Sequence, residues 1–169
     1  MAYTIGEECT GCGLCARKCP EKCITGEKKE QHAVDATLCS DCGVCASYCP
    51  VSCILDNSGE PTCNIKPKER PVAKVDETYC SGCEFCVSIC PFSCIDMVKD
   101  ESYGTTFLVA QVERPKDCVG CRYCVSICNQ KEAITLRWPD GERCNALNER
   151  TAMEKTPVAV GDIPHKREK

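Results

Sequence analysis

Four stretches of this sequence repeat one cysteine spacing. The first is Cys9-Thr10-Gly11-Cys12-Gly13-Leu14-Cys15-Ala16-Arg17-Lys18-Cys19-Pro20. The second carries Cys39, Cys42, Cys45 and Cys49, followed by Pro50; the third carries Cys80, Cys83, Cys86 and Cys90, followed by Pro91. The fourth carries Cys118, Cys121, Cys124 and Cys128, followed by Asn129. Every copy reads C-x2-C-x2-C-x3-C. This is the run of thiolates that holds [4Fe–4S] clusters. Three cysteines in a tight loop present three thiolates to three corners of one cube. The fourth, three residues further on, turns toward a second centre. Gly11, Gly13, Gly43, Gly82 and Gly120 suit a loop that must close on a cluster. Its amides are then free to point at sulfur. Zinc fits poorly, because structural zinc uses paired C-x2-C knuckles and would leave the third cysteine of each loop without a role.

The composition agrees with metal. Twenty-one of the 169 residues are cysteine and 5% are aromatic. The hydrophobic share of 43% counts cysteine, so ordinary apolar residues are only about 31% of the chain. A core this thin does not offset the entropy of ordering the backbone, and cluster ligation is expected to supply the difference. A disulfide scaffold is the alternative reading of dense cysteine. Against it stand the odd cysteine count and a start, Met1 to Cys9, that lacks a basic and apolar leader. The expectation is therefore a cytoplasmic protein with reduced thiols. No stretch approaches the roughly 18 apolar residues of a membrane span. Formal charge is −4, and four clusters at about −2 each would take it to about −12. That argues against nucleic acid and predicts partners with basic docking patches. Oxygen-sensitive clusters suggest an anaerobic or microaerobic setting.

The spacing between copies sets the organisation. Copies one and two start at Cys9 and Cys39, and copies three and four at Cys80 and Cys118. The gap between the pairs holds Asn57-Ser58-Gly59-Glu60-Pro61 and Pro67-Lys68-Glu69-Arg70-Pro71, a linker composition. In this the chain resembles the bacterial-type two-cluster ferredoxin written twice. The resemblance implies an α+β fold of two tandem ferredoxin-like modules, with small antiparallel β-hairpins and short helices wrapped around four [4Fe–4S] clusters. It places module one at 1–58, a linker at 59–71, module two at 72–137 and a polar, partner-docking tail at 138–169. By the same resemblance, cluster I takes Cys9, Cys12, Cys15 and Cys49, and cluster II takes Cys39, Cys42, Cys45 and Cys19. Cluster III takes Cys80, Cys83, Cys86 and Cys128, and cluster IV takes Cys118, Cys121, Cys124 and Cys90.

The elements that must position these thiols follow. Strands are expected at Tyr3–Ile5, Ile24–Thr25, Ala33–Asp35 and Cys53–Leu55. Module two repeats them at Val72–Val75, Ile95–Val98, Phe107–Val112 and Ile134–Leu136, with a longer hairpin through Asp100-Glu101-Ser102-Tyr103-Gly104. A helix is expected near the third cysteine of each copy, ended by the following proline. Tyr48, Phe85 and Tyr123 read as packing over the clusters, and His32 and His165 as solvated. Cys23, Cys53 and Cys94 each follow a motif's last cysteine by four residues, where copy four has Ala133 one residue late. They read as small buried packing residues; the alternative is S–H donors that tune cluster potential. Cys63 and Cys144 have no assigned role.

No catalytic site is expected. The chain has no P-loop, no dinucleotide fingerprint, no H-E-x-x-H and no nucleophile elbow. Clusters with every iron held by cysteine exchange single electrons and bind no substrate. The four-copy chain is similar to the small iron–sulfur subunit of multisubunit tungsten aldehyde oxidoreductases. Gly26 to Asp35 looks like the ferredoxin domains fused to flavin subunits of NAD-linked hydrogenases. These resemblances imply as partners a catalytic oxidoreductase subunit (tungstopterin-bearing) and a flavin or NAD-linked subunit, with self-stacking also compatible. A free diffusible polyferredoxin is the second reading.

Overall fold

The computed structural model describes residues 2–99 and 107–147. Each cysteine copy builds one local unit of loop, five-residue helix, tight turn and strand. The helices are α1 (Leu14–Lys18), α2 (Val44–Tyr48), α3 (Phe85–Ile89) and α4 (Tyr123–Ile127). The first half has strands β1 (Thr4–Ile5), β2 (Ile24–Thr25), β3 (Ala33–Val34) and β4 (Ile54–Leu55). The second has β5 (Val72–Val75), β6 (Ile95–Lys99), β7 (Leu108–Val112) and β8 (Ile134–Arg137). In each half the first strand pairs antiparallel with the last, and the inner two form a hairpin. The fold is α+β, with the small hairpins and short helices expected. The turn through Asp100–Gly104 lies outside the described residues, as does His165. Among the described residues no helix is long and apolar enough to cross a membrane.

The fourfold repeat is written in the backbone. Three positions of every copy hold left-handed φ, between 49° and 77°. The first series is Gly11, Asp41, Gly82 and Gly120; the second is Gly13, Gly43, Glu84 and Arg122. The third is Lys22, Ser52, Ser93 and Glu132, directly before Cys23, Cys53, Cys94 and Ala133. Backbone geometry thus aligns Ala133 with the three extra cysteines and puts the fourth copy's added residue between Cys128 and Glu132. Seven of these twelve positions are not glycine, although the left-handed region costs such residues about 1–2 kcal/mol each. The turns must therefore be over-determined by what they surround.

Proline does not set the helix ends. Cys19, Cys49, Cys90 and Cys128 all have φ between −69° and −74° with extended ψ. The fourth helix stops at the same place with Asn129 in place of proline. The extended cysteine that turns its thiol out of the loop ends the helix; a following proline is compatible with that geometry.

Two cores form. One gathers Tyr3, Ile5, Ile24, Ala46 and Ile54 with the motif cysteines Cys15, Cys19, Cys45 and Cys49 and with Cys23 and Cys53. The other gathers Ala73, Ile95, Ala110, Val119, Ile134 and Leu136 from the second. Helix α2 belongs to both. Cys45 and Ala46 face the first core, while Val44 and Tyr48, one turn apart, face the second. All five α2 residues are buried. The segment after β4 runs across this helix: Ile65 N–H donates to the Ser47 carbonyl at 3.1 Å, and the Arg70 guanidinium lies 3.6 Å from the Tyr48 ring centroid.

Residues 138–147, expected as the start of a polar tail, instead fold back. Trp138 N–H donates to the Glu142 carbonyl and Cys144 N–H to that of Leu136, both at 2.8 Å. Trp138, Cys144 and Leu147 are buried in the second core. The turn supplies three apolar side chains at the right spacing, so a segment that is polar on average still buries one face. His32 is also corrected: it is 5% exposed, packed at Gly26, with Nδ1 3.2 Å from the Glu30 carbonyl. Phe85, expected to pack, is 52% exposed.

Candidate metal centres

All twenty-one cysteines are free thiols. The closest sulfur approach given by a hydrogen bond is 3.4 Å, far beyond a disulfide bond. Eight of the sixteen motif thiols line two voids, one in each half. One void is lined by Cys9, Cys12, Cys15 and Cys49, with Cys53 beside them and Ile5, Val51 and Ile54 as apolar walls. A second is lined by Cys90, Cys118, Cys121 and Cys124, with Cys94 beside them and Ala73, Phe92, Ile95 and Leu136 as walls. In both, three cysteines come from one loop and the fourth from the other copy of the same half. Packing of α1 on α2 and of α3 on α4 accompanies that exchange, in which a helix's last cysteine reaches its neighbour's loop.

Electrostatic contacts link Cys19, Cys39, Cys42 and Cys45, and link Cys86 to Cys80 and Cys83 but not to Cys128. Cys19 and Cys39 both act on Cys42, and Cys39 and Cys42 on Cys45. Cys80 and Cys83 act on Cys86. Cys128 is half-buried against the second core and its thiol donates to the Gln130 carbonyl at 3.5 Å.

The thiol titrations follow from burial and crowding. Burial, then repulsion from Cys118, Cys121 and Cys90, pushes Cys124 up to about 12. Burial, chiefly, pushes Cys121 up to about 11, with Cys42, Cys118 and Cys90 adding to it. Cys15 and Cys45 are raised for the same first reason. Four sulfurs facing one apolar void resist ionising together unless positive charge sits between them. An iron–sulfur core supplies that charge, so the donor set and the void fit a [4Fe–4S] cluster. Among the described residues no three His, Cys, Asp or Glu side chains converge on one metal ion. Thiolates that each take a different iron surround a volume and need not converge.

The three extra motif thiols are buried beside ligand-type cysteines. Cys23 Sγ lies 3.4 Å from Cys19 Sγ, and Cys53 Sγ 3.5 Å from Cys49 Sγ. Cys94 N–H donates to Cys90 Sγ at 3.3 Å. Burial, and then these neighbours, push Cys23 and Cys53 up to about 12; for Cys94 burial and Cys90 do the same. They stay protonated, and an S–H between two sulfurs has a donor to offer. Ala110 N–H also donates to Cys80 Sγ at 3.4 Å from the edge of β7, a contact that no sequence pattern signals.

This geometry defines an iron–sulfur protein of the electron-transport class, with a 4Fe–4S ferredoxin-type domain in each half. The sequence profile of the 4Fe–4S binding domain matches residues 2–25 and 32–55, and that of the 4Fe–4S dicluster domain matches 79–132. Among curated proteins, the chain is 58% identical over 33 residues to NADP-reducing hydrogenase subunit HndC of Solidesulfovibrio fructosivorans. That stretch is 19% of this chain and 7% of the hydrogenase subunit. Among solved structures, a chain of the formate dehydrogenase, heterodisulfide reductase and formylmethanofuran dehydrogenase complex from Methanospirillum hungatei aligns with a TM-score of 0.42 at 19% identity. The alignment covers 89% of this chain and 55% of the other. The present chain thus spans a small part of the first relative and about half of the second.

Proposed function

We propose that this chain holds four [4Fe–4S] clusters through sixteen cysteines and carries single electrons between subunits of an oxidoreductase complex. The observation that carries the reading is that, in each half, three motif cysteines of one copy and the last motif cysteine of the other line one void, with an extra cysteine beside them. Within it, Cys9, Cys12, Cys15 and Cys49 hold one cluster and Cys39, Cys42, Cys45 and Cys19 its neighbour. Cys118, Cys121, Cys124 and Cys90 hold the third, and Cys80, Cys83, Cys86 and Cys128 the fourth. The bound clusters supply one-electron exchange at low potential. The chain's own residues do the rest: Ile5, Ile54, Ile95 and Leu136 exclude water, and Ala110 N–H and the S–H groups of Cys23 and Cys53 stabilise charge on sulfur.

The likeness to a hydrogenase subunit, over a short stretch, supports a place in a multisubunit assembly. The finer reading keeps the resemblance to tungsten aldehyde oxidoreductases, with a tungstopterin catalytic subunit on one side and a flavin subunit on the other. Reduced thiols throughout accord with a cytoplasmic setting. Native mass spectrometry of the protein purified anaerobically from its source tests all of this. The expected result is a heteromeric complex with four clusters' worth of iron per copy. A lone, fully loaded chain would make it a free carrier, and a chain without iron–sulfur clusters would end the reading.

A further inference from the structure

The two halves do not meet by chance surfaces. The loop carrying Cys42 and the loop carrying Cys121 line one shared cavity, with Ser40, Tyr123, Arg122 and Asn145. Tyr123 bridges the halves: its hydroxyl donates to the Glu21 carboxylate and lies 2.7 Å from Ser40 Oγ. Leu147, 4% exposed, wedges between the same two loops; a Cβ added to Gly43 or to Gly120 would come within 3.3 Å of its side chain. Cys42 itself packs against the second half's core. Lys18, next to Cys19, places its ammonium 5.6 Å from the Tyr48 ring and 5.9 Å from the Phe92 ring, which lines the void of the fourth copy. A cation thus sits between an aromatic ring of the first half and one of the second.

These contacts join copy two to copy four, whereas the sequence joins copy two to copy three. We propose that the docked halves order the four cysteine sites in space as the Cys9 set, the Cys39 set, the Cys118 set and the Cys80 set, with Tyr123 as the positioning residue of the central junction. The exchange of Cys19 with Cys49 ties the first two sites, and that of Cys90 with Cys128 the last two. The Cys80 set is then terminal although it comes third in the chain. Its surroundings agree with an end position: Tyr79, Phe85, Ile89 and Phe107 are all exposed near that loop. The Cys118 set is interior although it comes last.

The inference rests on the four-cluster reading, and one experiment separates the two. Electron paramagnetic resonance of the reduced, fully loaded full-length protein reports which paramagnetic centres interact. Cys121→Ala, with loss of one cluster's iron, is expected to leave the Cys80 site with an isolated, unsplit signal. Cys83→Ala is expected to leave three interacting centres. The opposite pattern, an isolated site after Cys83→Ala and three interacting centres after Cys121→Ala, overturns the order. Tyr123→Ala is expected to keep wild-type iron while weakening the splitting between halves and raising amide exchange in 40–48 and 119–126. Tyr123→Phe, which keeps the ring and loses both hydrogen bonds, should fall between it and the wild type. Unchanged splitting in both Tyr123 variants refutes the positioning role. Failure of the wild type to load four clusters refutes the underlying reading, and the inference with it.

Discussion

Gly11→Ala compared with Gly59→Ala isolates what the first cysteine loop demands of its backbone. Both glycines have left-handed φ, 63° and 81°. Both alanines therefore incur about 1–2 kcal/mol of backbone strain, reduced by about 0.4–1 kcal/mol because alanine restricts the unfolded chain. At Gly59 nothing lies within 4 Å of an added Cβ, so the account ends near 1 kcal/mol. At Gly11 the Cβ would sit 2.4 Å from Glu30 N, 2.5 Å from Lys29 N and 2.6 Å from Glu30 O, all backbone atoms. Ordinary contact begins at 3.4 Å, so the β2–β3 turn must retreat by 3.4 − 2.4, or 1.0 Å. That retreat strains the packing by about 1–3 kcal/mol and breaks the Lys29 N–H to Gly11 O bond, worth about 1 kcal/mol. The difference between the variants is then roughly 2–4 kcal/mol. The assay is anaerobic loss of visible cluster absorbance in a fixed guanidinium concentration, with iron per chain measured beforehand. If half the difference is expressed in the release rate, Gly11→Ala should lose clusters roughly five- to thirtyfold faster than Gly59→Ala. Equal rates would show that the turn at Lys29 and Glu30 does not brace the loop, and would refute the reasoning.

Other expectations concern single positions. Cys23, Cys53 and Cys94 are raised from 9.0 to about 12 in the folded chain, so their contribution is fully present below pH 9 and is lost as pH rises from 9 through about 12. The variant with all three as alanine should lose less stability over that window in chemical denaturation, and an identical pH profile would contradict the assignment. Leu136→Ala removes a side chain only 2% exposed from the wall of the Cys118 void, and should cost about 2–5 kcal/mol with preferential loss of one cluster's iron. Glu84→Gly relieves left-handed strain at φ 64°, where the first two copies have glycine, and should raise stability by up to about 1 kcal/mol; a lower midpoint would mean that the Glu84 side chain has an unseen role.

Much of this protein is legible in the cysteines alone. Their spacing fixes which thiols share a loop, because three sulfurs separated by two residues have no room to reach different sites. The strands followed from short apolar runs, and all eight lie within a residue or two of expectation, since the four copies check one another. What the sequence left open depends on contacts far apart in the chain. Helix α2 looks like the other three, yet all five of its residues are buried, because Ile65, Arg70 and the second core close over its outer face. Residues 138–147 are polar on average and were expected to stay out of the core. Only the turn that brings Trp138, Cys144 and Leu147 to one side reveals their burial. His32 seemed a solvated residue because no local pattern announces the close approach of Gly26. The meeting of Cys42 with Cys121 is the strongest case. Ligand spacing is a local property of the chain, whereas the face that one half turns to the other is set by long-range packing and by Tyr123, Glu21 and Ser40, residues with nothing unusual about them in the sequence.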